Sequence, residues 1–222
     1  MASRQSRLAQ QQALWKWLEP YGSVQSFRRH NFIYTPSQTA QSFYLLQSGQ
    51  VSLQMLSASG RVLTLWVVEA GQVFGHSVLA GSRTYDTFAE AIKPARVVTV
   101  PRESVLQALA SQPALSLALI EELGQHRLMV SRRLNEVAFK SVPARLASLL
   151  LDMADASDVQ QIEGQQSRLP HRTHQQLAEM INAYRETVTK VINQFRAADL
   201  LDIDRSGITL RNLARLREVA QG

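Results

Sequence analysis

The chain has 222 residues, 45% hydrophobic and 19% charged, a globular profile with room for one large or two modest cores. It has no cysteine, which excludes disulfides, thiolate metal sites, iron–sulfur clusters and cysteine nucleophiles. The net charge of +6 suits a nucleic-acid partner without requiring one, and the first twenty residues hold no apolar run long enough for a signal peptide or membrane span, so a cytoplasmic protein is expected.

Residues 24–100 read as short β-prone runs punctuated by glycine: SFYLLQSGQVSLQML, ASGRVLTLWVVEAGQVFG and TFAEAIKPARVVTVP. Gly49, Gly60, Gly71 and Gly75 are spaced like the turns of a compact antiparallel β-roll, where the backbone needs positive φ or close approach. After Pro101 the period becomes helical, briefly over 104–110 and then from Pro113 to Phe139. In the longer stretch Ile120, Leu123, Val130, Leu134 and Val137 follow a 3-4 alternation, with Arg127 in the slot between Leu123 and Val130. That pattern predicts a coiled-coil seam and a dimer. The same period would serve a helix packed on its own β-roll, but a cation within the seam favours an anionic partner or ligand.

A new unit begins with Ser141 as N-cap, Pro143 in the first turn and Leu146, Leu149, Leu150 and Met153 on one helical face. Residues 155–168 are polar and loop-like. Thr173 and Gln176 then have capping-box spacing, and Leu177 and Ile181 continue a short helix ending near Asn182. Past a tight turn at Asn182-Ala183, Val188, Val191, Ile192 and Phe195 share the apolar stripe of a second helix. LLDIDRSGITLRN reads as a hairpin around Arg205-Ser206-Gly207. The expected fold is α+β: an N-terminal antiparallel β-roll (jelly-roll-like, sensor-like) over 1–111, a long dimerisation helix over 112–140 and a winged helix-turn-helix over 141–222.

The second helix of that motif enters the DNA major groove, and its free face carries suitable chemistry. Arg185 can donate a fork to guanine, Glu186 can accept from the cytosine amino group, and Lys190 can donate to guanine or phosphate. Thr173, His174, Gln175 and Thr187 are placed for backbone phosphates. Residues 168–196 hold five basic side chains against two acidic ones. The competing reading is a solvated face closed by a Glu186–Lys190 pair at i,i+4.

With those residues in view, THQQLAEMINAYRETVTKVINQFRAADLL resembles the helix-turn-helix of the CRP/FNR family of transcription regulators, whose reading helix typically carries an R-E-T-V-x-R type motif. FYLLQSGQVSLQMLSASGRVLTLWVVEAGQVFG is similar to that family's β-roll pattern, and the likeness spans roughly residues 20–215 in the family's order. The resemblance implies a cytoplasmic homodimer on a pseudo-palindromic DNA site, with Arg185, Glu186 and Lys190 reading bases and RNA polymerase as protein partner. Lys190 stands where better-known members have Arg, which loses a bidentate contact. The polar loop at 155–166 lies where family activators can touch polymerase, and reads equally well as a linker.

Members that bind cyclic AMP use a Glu for the ribose and an Arg-Ser pair for the cyclic phosphate. Here the segment is FGHSVLAGSRTYDTFAEA, with His76 at the Glu position after Gly75 and Tyr85-Asp86 at the Arg-Ser pair. An aspartate facing a phosphate is repulsive, so no ordinary cyclic-AMP response is expected, although Arg83 could compensate after a shift of loop register. A small carboxylate effector, as in the cyanobacterial nitrogen regulators this β-roll also resembles, would suit His126 or Arg127. Control without any small effector is the other expectation, and no cofactor or metal is expected. His30, His76, His126, His171 and His174 are scattered along the sequence, with no histidine pair and carboxylate on the strands to build a cupin-like centre, so an enzyme is not expected. The alternative function is a ligand-binding regulatory module acting through protein partners without DNA binding.

Overall fold

In the computed structural model, residues 15–58, 60–81, 83–156, 161–162, 166–204 and 206–222 are described. They divide into two compact units, one of residues 15–57 and 64–128, the other of 58, 60–63 and the described residues from 129 onward.

The first unit is an antiparallel β-roll. Its strands are β1 (Ser23–Phe27), β2 (Phe32–Tyr34), β3 (Ser42–Leu56), β4 (Val62–Glu69), β5 (Val73–Phe74) and β6 (Phe88–Pro101). The sheet order is β1-β6-β3-β4, with β2 also paired to β6 and β5 to β3. The long strands β3 and β6 pair from Ser42↔Pro101 to Gln54↔Phe88, and their register shifts repeatedly between Leu46 and Val51. Such irregularities increase local twist, which lets a long ribbon fold over itself. Gly49 sits in the middle of them, at φ 92°, where a Cβ would lie 2.2 Å from the Pro94 carbonyl oxygen. The four glycines expected in turns all have positive φ, but Gly49 marks a kink inside a strand.

The folded ribbon encloses Phe43, Leu46, Val51, Phe74, Val97 and Val100, all essentially buried. Helix α1 (Arg102–Ser111) adds Val105 and Ala108 to this core. Helix α2 (Pro113–Phe139) adds Leu115, Ala118 and Leu119. Its other side carries Ile120 (66% exposed), Leu123, Val130, Leu134 (69% exposed) and Val137, with Arg127 also exposed. Within the first unit, Ile120 and Leu123 of the expected seam are therefore not covered by the β-roll.

The second unit contains α3 (Val142–Ala156), β7 (Gln161–Ile162), β8 (Gln166–Pro170), α4 (His174–Ile181), α5 (Arg185–Ala197), β9 (Leu201–Asp204), β10 (Gly207–Leu210) and α6 (Leu213–Ala220). Ser141 Oγ caps α3 by accepting from the Ala144 N–H. Part of the segment expected to be loop is instead paired, with the small sheet running β7-β8-β10-β9. Ser167 and Leu169 point inward on β8, whose partner β10 lies about forty residues further along the chain. Most of the 155–166 loop and the hairpin residue Arg205 lie outside the described residues. The second core joins Leu146 and Leu150 to Leu177, Val188, Ile192, Ile208, Leu210 and Leu216.

The Gly49 contact makes a direct prediction. Gly49→Ala should destabilise the β-roll by about 1–3 kcal/mol, because it combines a strained φ with a backbone clash. All three tryptophans, Trp15, Trp17 and Trp66, lie in the first unit, so urea unfolding followed by tryptophan fluorescence reads that unit alone. Gly124→Ala, in open space on α2, is the control and should leave the midpoint unchanged or slightly raised.

Candidate nucleic-acid interface

Thr173 starts the helix pair. Its hydroxyl accepts from the Gln176 N–H at 3.2 Å, while Gln176 Oε1 accepts from the Thr173 N–H at 2.9 Å, completing the expected capping box. Asn182 ends α4 in the left-handed conformation, φ 53°, which asparagine tolerates better than most residues. Arg145 Nη1 donates to the Asn182 carbonyl at 3.5 Å, a long contact that ties α3 to the turn. The chain then re-enters helix at Arg185.

Val188, Val191, Ile192 and Phe195 are buried and fix the rotation of α5 about its axis. Arg185, Glu186 and Lys190 are exposed on the opposite side, with Thr187 and Thr189 half-buried between them. These five line one open depression. Among the described residues no ion pair joins Glu186 to Lys190, so the two charges are not spent on each other. Glu186 also lies in the first turn, where a carboxylate complements the helix dipole.

The flanking groups are more committed than the sequence suggests. Thr189 Oγ1 donates to the Arg185 carbonyl at 2.9 Å and lies 2.9 Å from His174 Nδ1. With the hydroxyl proton already used, Nδ1 must be the donor in the second bond, which leaves Nε2 of neutral His174 an acceptor. Burial, then the Arg185 and His171 charges, hold the His174 pKa below its ordinary value. His174 can therefore donate to a phosphate only when protonated. Gln175 Nε2 donates to Glu179 at 2.8 Å and keeps its second N–H. Asp204 organises the wing by accepting from the Ser206 and Gly207 backbone and from Arg168; these bonds, led by the Ser206 hydroxyl, bring its carboxyl down to about 2.

The residues expected at an effector pocket separate into two groups. Tyr85 is a core residue: it stacks on Tyr34 at 3.9 Å between centroids, and its hydroxyl bonds the Ser42 backbone and Tyr44. Asp86 accepts from Ser77 Oγ at 2.6 Å, and Arg83 and Arg127 are exposed. Gly75, at φ 83° and with Tyr44 where a Cβ would be, turns the chain so that His76 points inward. There His76 meets His126 at 4.9 Å between ring centroids, with Glu122 beside them. The reading of the histidines as scattered fails for this pair, because residues fifty apart in sequence are brought together by the packing of α2 on the roll. Burial pushes His76 down to about 3, with His126 a second cause, and His126 down to about 4. Burial raises Glu122 to about 7 against an opposing hydrogen bond from Trp15.

Comparison with known proteins agrees with this layout. Residues 24–112 match the cyclic nucleotide-binding domain and residues 144–219 the Crp-like helix-turn-helix domain. The chain is 30% identical to the global nitrogen regulator of Synechococcus elongatus, over 88% of each chain. It is 25% identical to the CRP-like cAMP-activated global transcriptional regulator of Mycobacterium tuberculosis, over 94% of this chain and 91% of that one. Among solved structures, a CRP/FNR-family transcriptional regulator from Thermus thermophilus superposes with a TM-score of 0.72 at 28% identity, covering 90% of this chain and 99% of that one.

The cap of the helix pair can be tested on the full chain. Thr173→Ala should destabilise the second unit by about 1 kcal/mol, while Thr173→Ser should keep most of the loss at bay. Urea denaturation followed by far-ultraviolet circular dichroism reads the difference, and equal midpoints for the two variants would remove the capping role.

Proposed function

This chain belongs to the CRP/FNR family of transcription regulators, with a cyclic-nucleotide-binding-like β-roll and a Crp-like helix-turn-helix DNA-binding domain, and from that premise we propose that it binds a pseudo-palindromic DNA site as a homodimer. The observation that carries the reading is the face of α5. Three charged side chains stand exposed, unpaired with one another, on a helix whose opposite face is held by a core. In the major groove Arg185 forks onto a guanine, Glu186 accepts from a cytosine amino group and Lys190 reaches guanine or phosphate. Thr173, Gln175 and Thr187 set register on phosphates, joined by His174 in its protonated form. Two such helices about 34 Å apart reach successive major grooves on one side of the duplex.

Dimerisation through α2 is supported by the stripe of Ile120, Leu123, Val130, Leu134 and Val137, an apolar surface that a lone helix would leave in water. The protein acts in the cytoplasm, and no helix of the described residues is long and apolar enough to cross a membrane. RNA polymerase is the protein partner this reading implies. Cyclic AMP is not the effector. Asp86 presents a carboxylate where a cyclic phosphate would need a cation, and Tyr85 is committed to the core. Any small-molecule effector is of another class. The relatives are transcription regulators, not enzymes.

Selection from random duplex DNA by the purified protein at near-physiological salt should yield a two-fold symmetric motif. Against that motif Arg185→Ala should cost about 1–3 kcal/mol and relax preference at one base pair, whereas Gln175→Ala should weaken all sites alike. Addition of cyclic AMP should leave the affinity unchanged. If no motif is enriched and Arg185→Ala leaves activity intact, the protein works through partner proteins without reading DNA. Separately, Leu134→Glu should place like charges across the seam, and sedimentation equilibrium should then show the mass of one chain instead of two.

A further inference from the structure

His76, Glu122 and His126 present their ligand atoms within 4.8 Å of one another. Three points so spaced have a common centre within about 2.8 Å of all three, close to the 2.0–2.2 Å at which imidazole and carboxylate hold a zinc-like ion. Side-chain movements of under an ångström would close the difference. The groups converge without satisfying each other. His126 Nε2 stands 3.7 Å from Glu122 Oε1, too far for a hydrogen bond, and His76 Nε2 is sealed from solvent with no hydrogen-bond partner among the described residues. The two rings meet nearly at right angles, 85°, as neighbouring ligands of one ion can, and not as a stacked pair.

The surroundings complete the picture. Trp66 packs on His126 at 3.7 Å between centroids and Phe43 meets His76 edge-on at 5.1 Å, so the rings have little freedom to turn away. Trp15 donates to Glu122, which fixes the orientation of the carboxylate.

We propose that His76, Glu122 and His126 bind one divalent first-row transition-metal ion of the zinc class, linking the turn after β5 to α2. Two imidazoles and a carboxylate suit that class and leave room for water or a ligand on the ion, whereas magnesium and calcium prefer all-oxygen sites. This assignment is independent of how the protein reads DNA, because all three residues lie in the first unit.

The test uses the full chain without a histidine tag, stripped with a chelator and titrated with cobalt(II), then with zinc(II) in competition. One cobalt per chain is expected, with visible ligand-field absorption that zinc abolishes. His126→Ala and Glu122→Gln should each weaken cobalt binding at least about tenfold and alter the spectrum. Far-ultraviolet circular dichroism confirms that both variants are folded, and His76→Ala is added if it folds as well. No stoichiometric cobalt binding by the parent chain, or equal affinity in the parent and both folded variants, would overturn the site.

Discussion

The burial of Leu115, Ala118, Leu119 and Glu122 along one side of α2 is the constraint on which the first unit turns. Their spacing marks a single helical face, and each leucine taken from water stabilises its placement by about 1.5–3 kcal/mol. Fixing that face fixes the rotation of the helix, which leaves no choice about the other residues. Ile120 and Leu123 must face away from the roll, and His126, one turn beyond Glu122, must come in beside His76. One packing decision thus produces both an uncovered apolar stripe and a cluster of ligating groups.

The second unit uses the same logic on a smaller scale. The cap at Thr173, the left-handed Asn182 and the buried stripe from Val188 to Phe195 leave α5 one orientation, and the charged side chains fall on the solvent side as a result. Their chemistry is mixed. Arg185 and Lys190 would suit any polyanion, but Glu186 repels phosphate unless an amino group is present to meet it, so on the proposed reading this face would favour discrimination over bulk affinity.

Much of this was legible in the sequence because the signals are local. The 3-4 alternation located α2, the Thr173/Gln176 spacing gave a complete capping box, and the glycines marked positive φ. What was hidden depends on contacts far apart in the chain. Strand β8 is polar and short, and only its pairing with β7 and β10 makes it a strand. The helix Leu213–Ala220 closes the second core through Leu216 but has too few turns to announce itself by period. Tyr85 carries no local sign that its hydroxyl belongs to Ser42 and Tyr44. The approach of His76 to His126 was equally invisible, since fifty residues separate them and their meeting depends on helix rotation.

The cap at Thr173 has a consequence for which residues that position will accept. Its oxygen accepts from the Gln176 N–H, and the hydroxyl proton stays free to be given to a group outside. Aspartate and asparagine cap a helix as well as threonine does, yet aspartate would bring a negative charge and no proton to a surface that, on the proposed reading, approaches phosphate. Serine and threonine alone combine a short capping oxygen with a donor on the same atom. Stability by itself would let this position drift among four residue types, and the proposed contact with a polyanion would remove aspartate from them.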